Sequence, residues 1–331
     1  MRAEGTTFIR TEEYAMNFHL KLPRRDFIRA TAGLLAGYIL LPLITGKFRK
    51  LYAAAPMPLT GDSLFVVQGN DISKDTIFRM IEKGFAGIGD VGRFVKKGMN
   101  VVIKPNIGWN SSPEMPHNTN PYMVEAVART CVRAGARVTI FDRSVNSARL
   151  TYRASGIRQA AENAGADIVF VDDRKFRTVR VPGALLHSTL HVYEDILNAD
   201  CVINMPVAKH HSSSTLTLSM KNLMGVLGGN RGIYHGDIHS SIVDFNKAIK
   251  VHLVIMDATR ILLRHGPNGG TQRDVRETKT IVFGTNPVTV DAFTATLFGM
   301  KPRDLMFLAL ASKEGMGEID TSRMKITRAS V

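Results

Sequence analysis

Apolar positions recur along this chain in two alternating rhythms. Short runs of apolar and β-branched residues over 64–67, 99–103, 137–141, 167–171, 201–204, 252–256 and 280–283 predict strands. Between them, apolar spacings of three and four predict helices over 72–88, 122–134, 154–164, 241–249 and 288–298. Strands alternating with helices imply an α/β fold, a mainly parallel sheet with helices on both faces. No low-complexity linker and no internal repeat divides residues 56–331, which read as one α/β domain. The stretch 172–191, with Pro182 and Gly183, breaks the rhythm and predicts a hairpin or an insertion.

Residues 1–55 follow a different pattern. Arg24 and Arg25, then Phe27, Ile28 and Arg29, precede an apolar run over 30–46. This order resembles a twin-arginine export signal, with Arg24 and Arg25 as the pair and Phe27 as the hydrophobic position after it. The resemblance implies export through the twin-arginine machinery, to the periplasm or to a membrane anchor facing it. Ala53, Ala54 and Ala55 offer a cleavage site that Pro56 disfavours, so removal and retention of the leader both stay open.

Composition changes this picture in two ways. The chain carries 43 Lys and Arg against 29 Asp and Glu, a net charge of +14, and residues 56–331 keep 34 against 25. A surface with that excess attracts small anions, anionic headgroups and nucleic acid. Nucleic acid is not expected among the partners, because no long basic run, zinc-finger spacing or aromatic RNA-binding signature accompanies the charge. There are two cysteines, Cys131 and Cys201, too few to hold an ordinary iron-sulfur cluster from this chain alone.

In open α/β sheets, ligands sit beyond the carboxyl ends of the strands, which selects the residues to examine. The first such end carries Lys104, Pro105 and Asn106; Asn120 and Pro121 then read as the cap and first position of a helix. The second carries Lys209, His210 and His211, followed within a few residues by Lys221 and Asn222. Lysines are cations for phosphate or carboxylate, and a neutral imidazole moves protons or binds metal. The third is Asp257, read as a metal ligand or general base, followed by Gly266, Pro267, Gly269 and Gly270, whose backbone N–H groups could face an anion. Asp291 fits a catalytic carboxylate and helix-start electrostatics equally. The pairs His187 with His191 and His235 with His239 have the spacing that on a helix places two metal ligands on one face. There is no serine-nucleophile elbow, Walker loop or dinucleotide glycine fingerprint.

Taken in order, these strand-end motifs resemble the family known as domain of unknown function 362. The pieces are Ile103-Lys104-Pro105-Asn106, Asn120-Pro121, Asn204-Met205-Pro206 through Lys209 and His211, Lys221-Asn222-Leu223-Met224-Gly225, Asp257 with Gly266-Pro267 and Gly269-Gly270, Asn286-Pro287-Val288 to Asp291-Ala292, and Gly315-Met316-Gly317. The family's activity is not established. The resemblance implies an association with iron-sulfur modules, yet this chain lacks the cysteine motif, so any cluster would come from a redox partner. Arg264-His265 also departs from the glycine and small polar residue expected before Gly266-Pro267. The resulting expectation is an exported protein binding a small anionic ligand. Lys104, Asn106, Lys209, Lys221 and Asn222 bind it, His211 and Asp257 act as acid, base or ligands of a divalent metal, and Gly266, Gly269 and Gly270 supply backbone contacts. The alternative is a noncatalytic binding or maturation factor for an exported redox partner.

Overall fold

The structure, a computed structural model, describes residues 60–331. The leader positions Arg24, Arg25 and Phe27 lie outside them. The chain begins with β1 (Ser63–Gln68), α1 (Lys74–Gly87), β2 (Asn100–Pro105), α2 (Pro121–Arg133), β3 (Arg137–Ile140), α3 (Ala148–Ala154), α4 (Ile157–Ala164) and β4 (Asp167–Ile168). It continues through β5 (Phe176–Arg180), β6 (Thr189–Tyr193), α5 (Glu194–Leu197), β7 (Cys201–Met205), β8 (Val207–His211), β9 (Thr215–Thr217) and α6 (Ser219–Asn222). Last come α7 (Ile238–Ala248), β10 (Leu253–Leu262), β11 (Val275–Gly284), α8 (Pro287–Leu297), α9 (Met306–Lys313) and β12 (Lys325–Ser330).

The sheet runs β12-β1-β11-β10-β7-β2-β3-β4, with β8 on β10 and β9 on β8. Its pairs are parallel except where β11 meets β1 and β10, and where β9 folds back on β8. The fold is therefore α/β with a mainly parallel sheet. Alternate strand residues face opposite cores, as a period of two requires. Phe65, Val67, Val101, Ile103, Ile203 and Ile255 meet Ile77, Ile81, Val124 and Ile157 from α1, α2 and α4. Leu64, Val66, Val102, Val202 and Val254 meet Ile242, Val290 and Phe307 from α7, α8 and α9. Both sheet faces are covered, which is why the strands read as nearly continuous apolar runs.

Local chemistry fixes the helix starts. The Asn120 side chain accepts the Tyr122 N–H at 2.9 Å with Pro121 at the first helical position, and Asn286 accepts the Val288 N–H at 2.8 Å before Pro287. Among the described residues no helix is long and apolar enough to cross a membrane.

Two elements differ from the sequence pattern, and the irregular segment 172–191 takes one of the two forms expected of it. The polar stretch after Pro206 is a hairpin, β8 and β9, turning at 212–214. The irregular segment forms a second hairpin, in which β5 and β6 pair antiparallel. The strand over 252–256 continues to Leu262, because β11 returns beside it and pairs as far as Leu262↔Val275. Asp257 is consequently a mid-strand residue, with Ile281 and Val207 as its neighbours across the sheet.

Candidate functional site

The site opens where the chain from Cys201 to His211 changes neighbours. β7 pairs with β2 as far as Pro105↔Met205. Pro206 then lacks the N–H needed to continue that ladder, and β8 proceeds along β10 instead. The gap beyond the carboxyl ends of β2 and β3 becomes a cavity of about 370 Å³. Its wall includes Lys104, Asn106, Lys209, His211, Lys221 and Asn222, so six of the sequence candidates converge on one space.

A polar chain runs along its floor. Lys209 donates from Nζ to Asn106 Oδ1 at 3.2 Å and to the His117 carbonyl. Asn106 Nδ2 donates to Asn222 Oδ1 at 3.0 Å, and Lys104 Nζ donates to the same oxygen at 3.1 Å. Lys104 is fully buried and forms an ion pair with Asp142 Oδ1 at 2.8 Å. Asp142 also accepts the Ile107 N–H through Oδ2 at 2.6 Å. A Cβ on Gly225 would sit 1.8 Å from Asp142 Oδ1 and 2.7 Å from Lys104 Nζ, so glycine alone lets the backbone close over this pair.

The cationic groups outnumber their partners. Burial pulls Lys104 below the ordinary lysine value, with Asp142 opposing. Lys209 falls well below it, first from burial and then from the charge of Lys221. Lys221 is lowered to about 8 by burial and by Arg231. No carboxylate pairs with Lys209 or Lys221 among the described residues. Burial, then Lys221, His235, Lys209 and His210, lowers His211 to about 3 and keeps its imidazole neutral. The His211 ring accepts the Ser213 N–H at Nδ1, at 3.1 Å, and presents Nε2 to Lys221 Nζ at 3.2 Å.

Several wall residues were not singled out by the sequence reading. Arg143 donates to the Leu227 and Gly229 carbonyls, and Arg231 returns the tie to the Arg143 and Ser144 carbonyls. His235, read from the sequence only as a metal partner of His239, instead lines the cavity and stacks over His211 with ring centroids 6.1 Å apart. A legible signal existed for Asp142 alone: it directly follows a predicted strand, where the strand-end rule applies. Arg143, Arg231 and His235 arrive from loops that only tertiary folding brings near.

The remaining candidates take other places. Asp257 does not line the cavity, and its oxygens accept the Asn120 N–H at 2.8 Å, the Thr259 N–H at 3.0 Å and the Thr259 hydroxyl at 2.7 Å. The metal or base role read for Asp257 is thus corrected to a tie between β10 and the start of α2. Gly266, Gly269 and Gly270 also stand off the wall, which Pro267 reaches. Gly266 is small because a Cβ would meet the His210 carbonyl oxygen at 2.1 Å, and Gly270 because its φ is +89°. His187 and His191 are not on a helix: His191 lies in β6, and His187 bonds to Ser241. His239 lies in α7, stacked on Phe307, away from His235 in its preceding turn. Among the described residues no group of three or more His, Cys, Asp or Glu is arranged to hold a metal ion. Cys131 and Cys201 are buried free thiols, pushed up to about 12 and about 11 by burial.

The family model for the domain of unknown function DUF362 matches residues 101–296, from β2 through α8. The chain belongs to the DUF362 family. The match takes in Lys104, Asp142, Lys209, His211, Lys221 and Arg231, so the whole basic cavity lies within the DUF362 region. Among curated proteins, the chain is similar to a thylakoid-associated protein of Synechocystis sp., 27% identical over an alignment of 238 residues that covers 69% of this chain and 72% of that protein. Among solved structures it aligns with the lactate racemase apoprotein from Thermoanaerobacterium thermosaccharolyticum at a TM-score of 0.41 and 10% identity. That alignment covers 70% of this chain and 56% of the racemase chain.

Proposed function

We propose that this DUF362 protein binds a small anionic ligand, a carboxylate or a phosphate ester, in the cavity at the ends of β2, β3 and β8. The observation that carries the reading is the charge inventory of the wall. Three lysines, two arginines and two histidines face one carboxylate, Asp142, and that carboxylate is already held by Lys104. Desolvated amines without counter-ions are costly, and an incoming anion relieves that cost by stabilising their charged forms. The anion therefore raises the Lys209 and Lys221 values above those of the free protein, and binding takes up protons.

Below about pH 8 Lys221 is already largely protonated; above that value binding must also protonate the amine, at a cost that grows with pH. Calorimetric titration of inorganic phosphate, which has no carbonyl to react with an amine, is expected to give an affinity that weakens from about pH 8 upward, with net proton uptake in that range. Lys209→Met is expected to weaken binding by roughly tenfold to a hundredfold, as befits loss of one charge-assisted hydrogen bond. Affinity that is indifferent to pH and to Lys209 would refute the reading.

The export part of the reading rests on the residues before the described domain. Changing Arg24 and Arg25 together to lysine is expected to retain the protein in the cytoplasm of a host with twin-arginine transport, measured by cell fractionation. An unchanged exported fraction would count against it.

A further inference from the structure

We propose that Lys221 is a nucleophilic amine that forms a Schiff base with an aldehyde or ketone bearing a carboxylate or phosphate group, an inference that rests on the anion-binding reading above. Hydrogen-bond polarity points to it. Nδ1 of His211 accepts the Ser213 N–H at 3.1 Å, so that nitrogen carries no proton. A neutral imidazole must then hold its proton on Nε2. Nε2 faces Lys221 Nζ at 3.2 Å, and an N–H can bond there only to a nitrogen with a free lone pair. This arrangement is that of the uncharged amine, the form that attacks carbonyl carbon.

Everything around Lys221 favours that form. The neighbouring groups on the wall are Lys104, Lys209, Arg143, Arg231, His211 and His235, and the one carboxylate, Asp142, is engaged by Lys104. Burial and the Arg231 charge bring Lys221 down to about 8, so a useful fraction is unprotonated near neutral pH. A desolvated lysine beside other cations is the usual way to obtain an amine nucleophile. Lys209 is the weaker candidate, because its Nζ is engaged by Asn106 and the His117 carbonyl.

The step balances without a further reactant. The Lys221 lone pair forms the C–N bond while the carbonyl π pair moves to oxygen, and one N–H proton passes to that oxygen to give a carbinolamine. Loss of the oxygen with the second N–H proton as water leaves the C=N bond. The acidic group of the same molecule is held by the remaining cations of the wall, which selects oxo-acids and phosphorylated carbonyl compounds over neutral aldehydes.

The test uses the full chain, pyruvate and sodium borohydride at about pH 8, with the modified lysines mapped by mass spectrometry. Pyruvate binding is measured calorimetrically in parallel. The expected result is a reduced adduct on Lys221 at least about tenfold above any surface lysine, and absent from Lys221→Arg, whose fold is checked by circular dichroism. Pyruvate that binds but leaves Lys221 unreduced overturns the Schiff base and leaves the anion reading standing. No binding and no adduct overturns both. Adducts spread evenly over surface lysines overturn the inference, and the map on the unaltered chain decides this even if the arginine variant fails to fold.

Discussion

Replacing Asp142 by alanine is expected to cost about 3–5 kcal/mol of folding stability, measured by urea denaturation, because it strands a buried cation. Lys104 is fully buried, and among the described residues Asp142, at 2.8 Å, is its one carboxylate partner. The substitution also orphans the Ile107 N–H that Asp142 Oδ2 accepts at 2.6 Å. The penalty arises from leaving a charge unpaired, so it should largely vanish when the charge goes too. Lys104→Met combined with Asp142→Asn is expected to recover most of the loss, since replacing both members of a buried pair is often close to neutral. The double variant should still lose ligand affinity, because Lys104 Nζ also holds Asn222 Oδ1 at 3.1 Å on the cavity floor. An Asp142→Ala protein within about 0.5 kcal/mol of the parent would contradict this account.

The second large effect is placed on Asp291, in the interior of α8. Its Oδ1 accepts the Ser219 N–H at 2.7 Å and its Oδ2 the Met220 N–H at 2.9 Å, so it holds the start of α6, the element carrying Lys221 and Asn222. Removing it in Asp291→Ala leaves two buried N–H groups without partners, which at about 1–3 kcal/mol each predicts a loss of about 2–6 kcal/mol. Burial pushes the Asp291 carboxyl up to about 7, outweighing the hydrogen bonds that oppose it. The Ser219 hydroxyl is a further donor here, 2.5 Å from Oδ1 and 3.1 Å from the Pro287 carbonyl.

The folded-state value is raised above the unfolded one. Its stabilising contribution is therefore complete below the unfolded carboxylate value of about 4 and is lost as pH rises through about 7. A rise from about 4 to about 7 limits that loss to roughly 4 kcal/mol. Urea unfolding at about pH 5 and about pH 8 should show a decline in the parent that Asp291→Ala lacks, narrowing the gap between them at the higher pH. Equal slopes in both proteins would remove Asp291 from this role.

The two effects also mark the boundary between what the chain's own pattern encodes and what folding adds. Periodicities of two and about three and a half, together with Asn120-Pro121 and Asn286-Pro287, were sufficient to predict the α/β alternation and the helix starts, because these depend on contacts within a few residues. Strand-end position likewise pointed to Lys104, Asn106, Lys209, His211, Lys221 and Asn222, which share one cavity. Partnerships across the chain left no local trace. Asn222 meets Lys104 across 118 positions and Asp291 meets Ser219 across 72. The order of strands in the sheet sets those encounters, and a single sequence does not state that order. The same reason explains Asp257. Its segment reads as a strand tip until β11 pairs alongside and carries β10 to Leu262, turning an apparent site residue into a buried tie. Residue type and spacing thus determined which side chains could do chemistry, while sheet pairing decided which of them face one another and which are consumed in holding the fold.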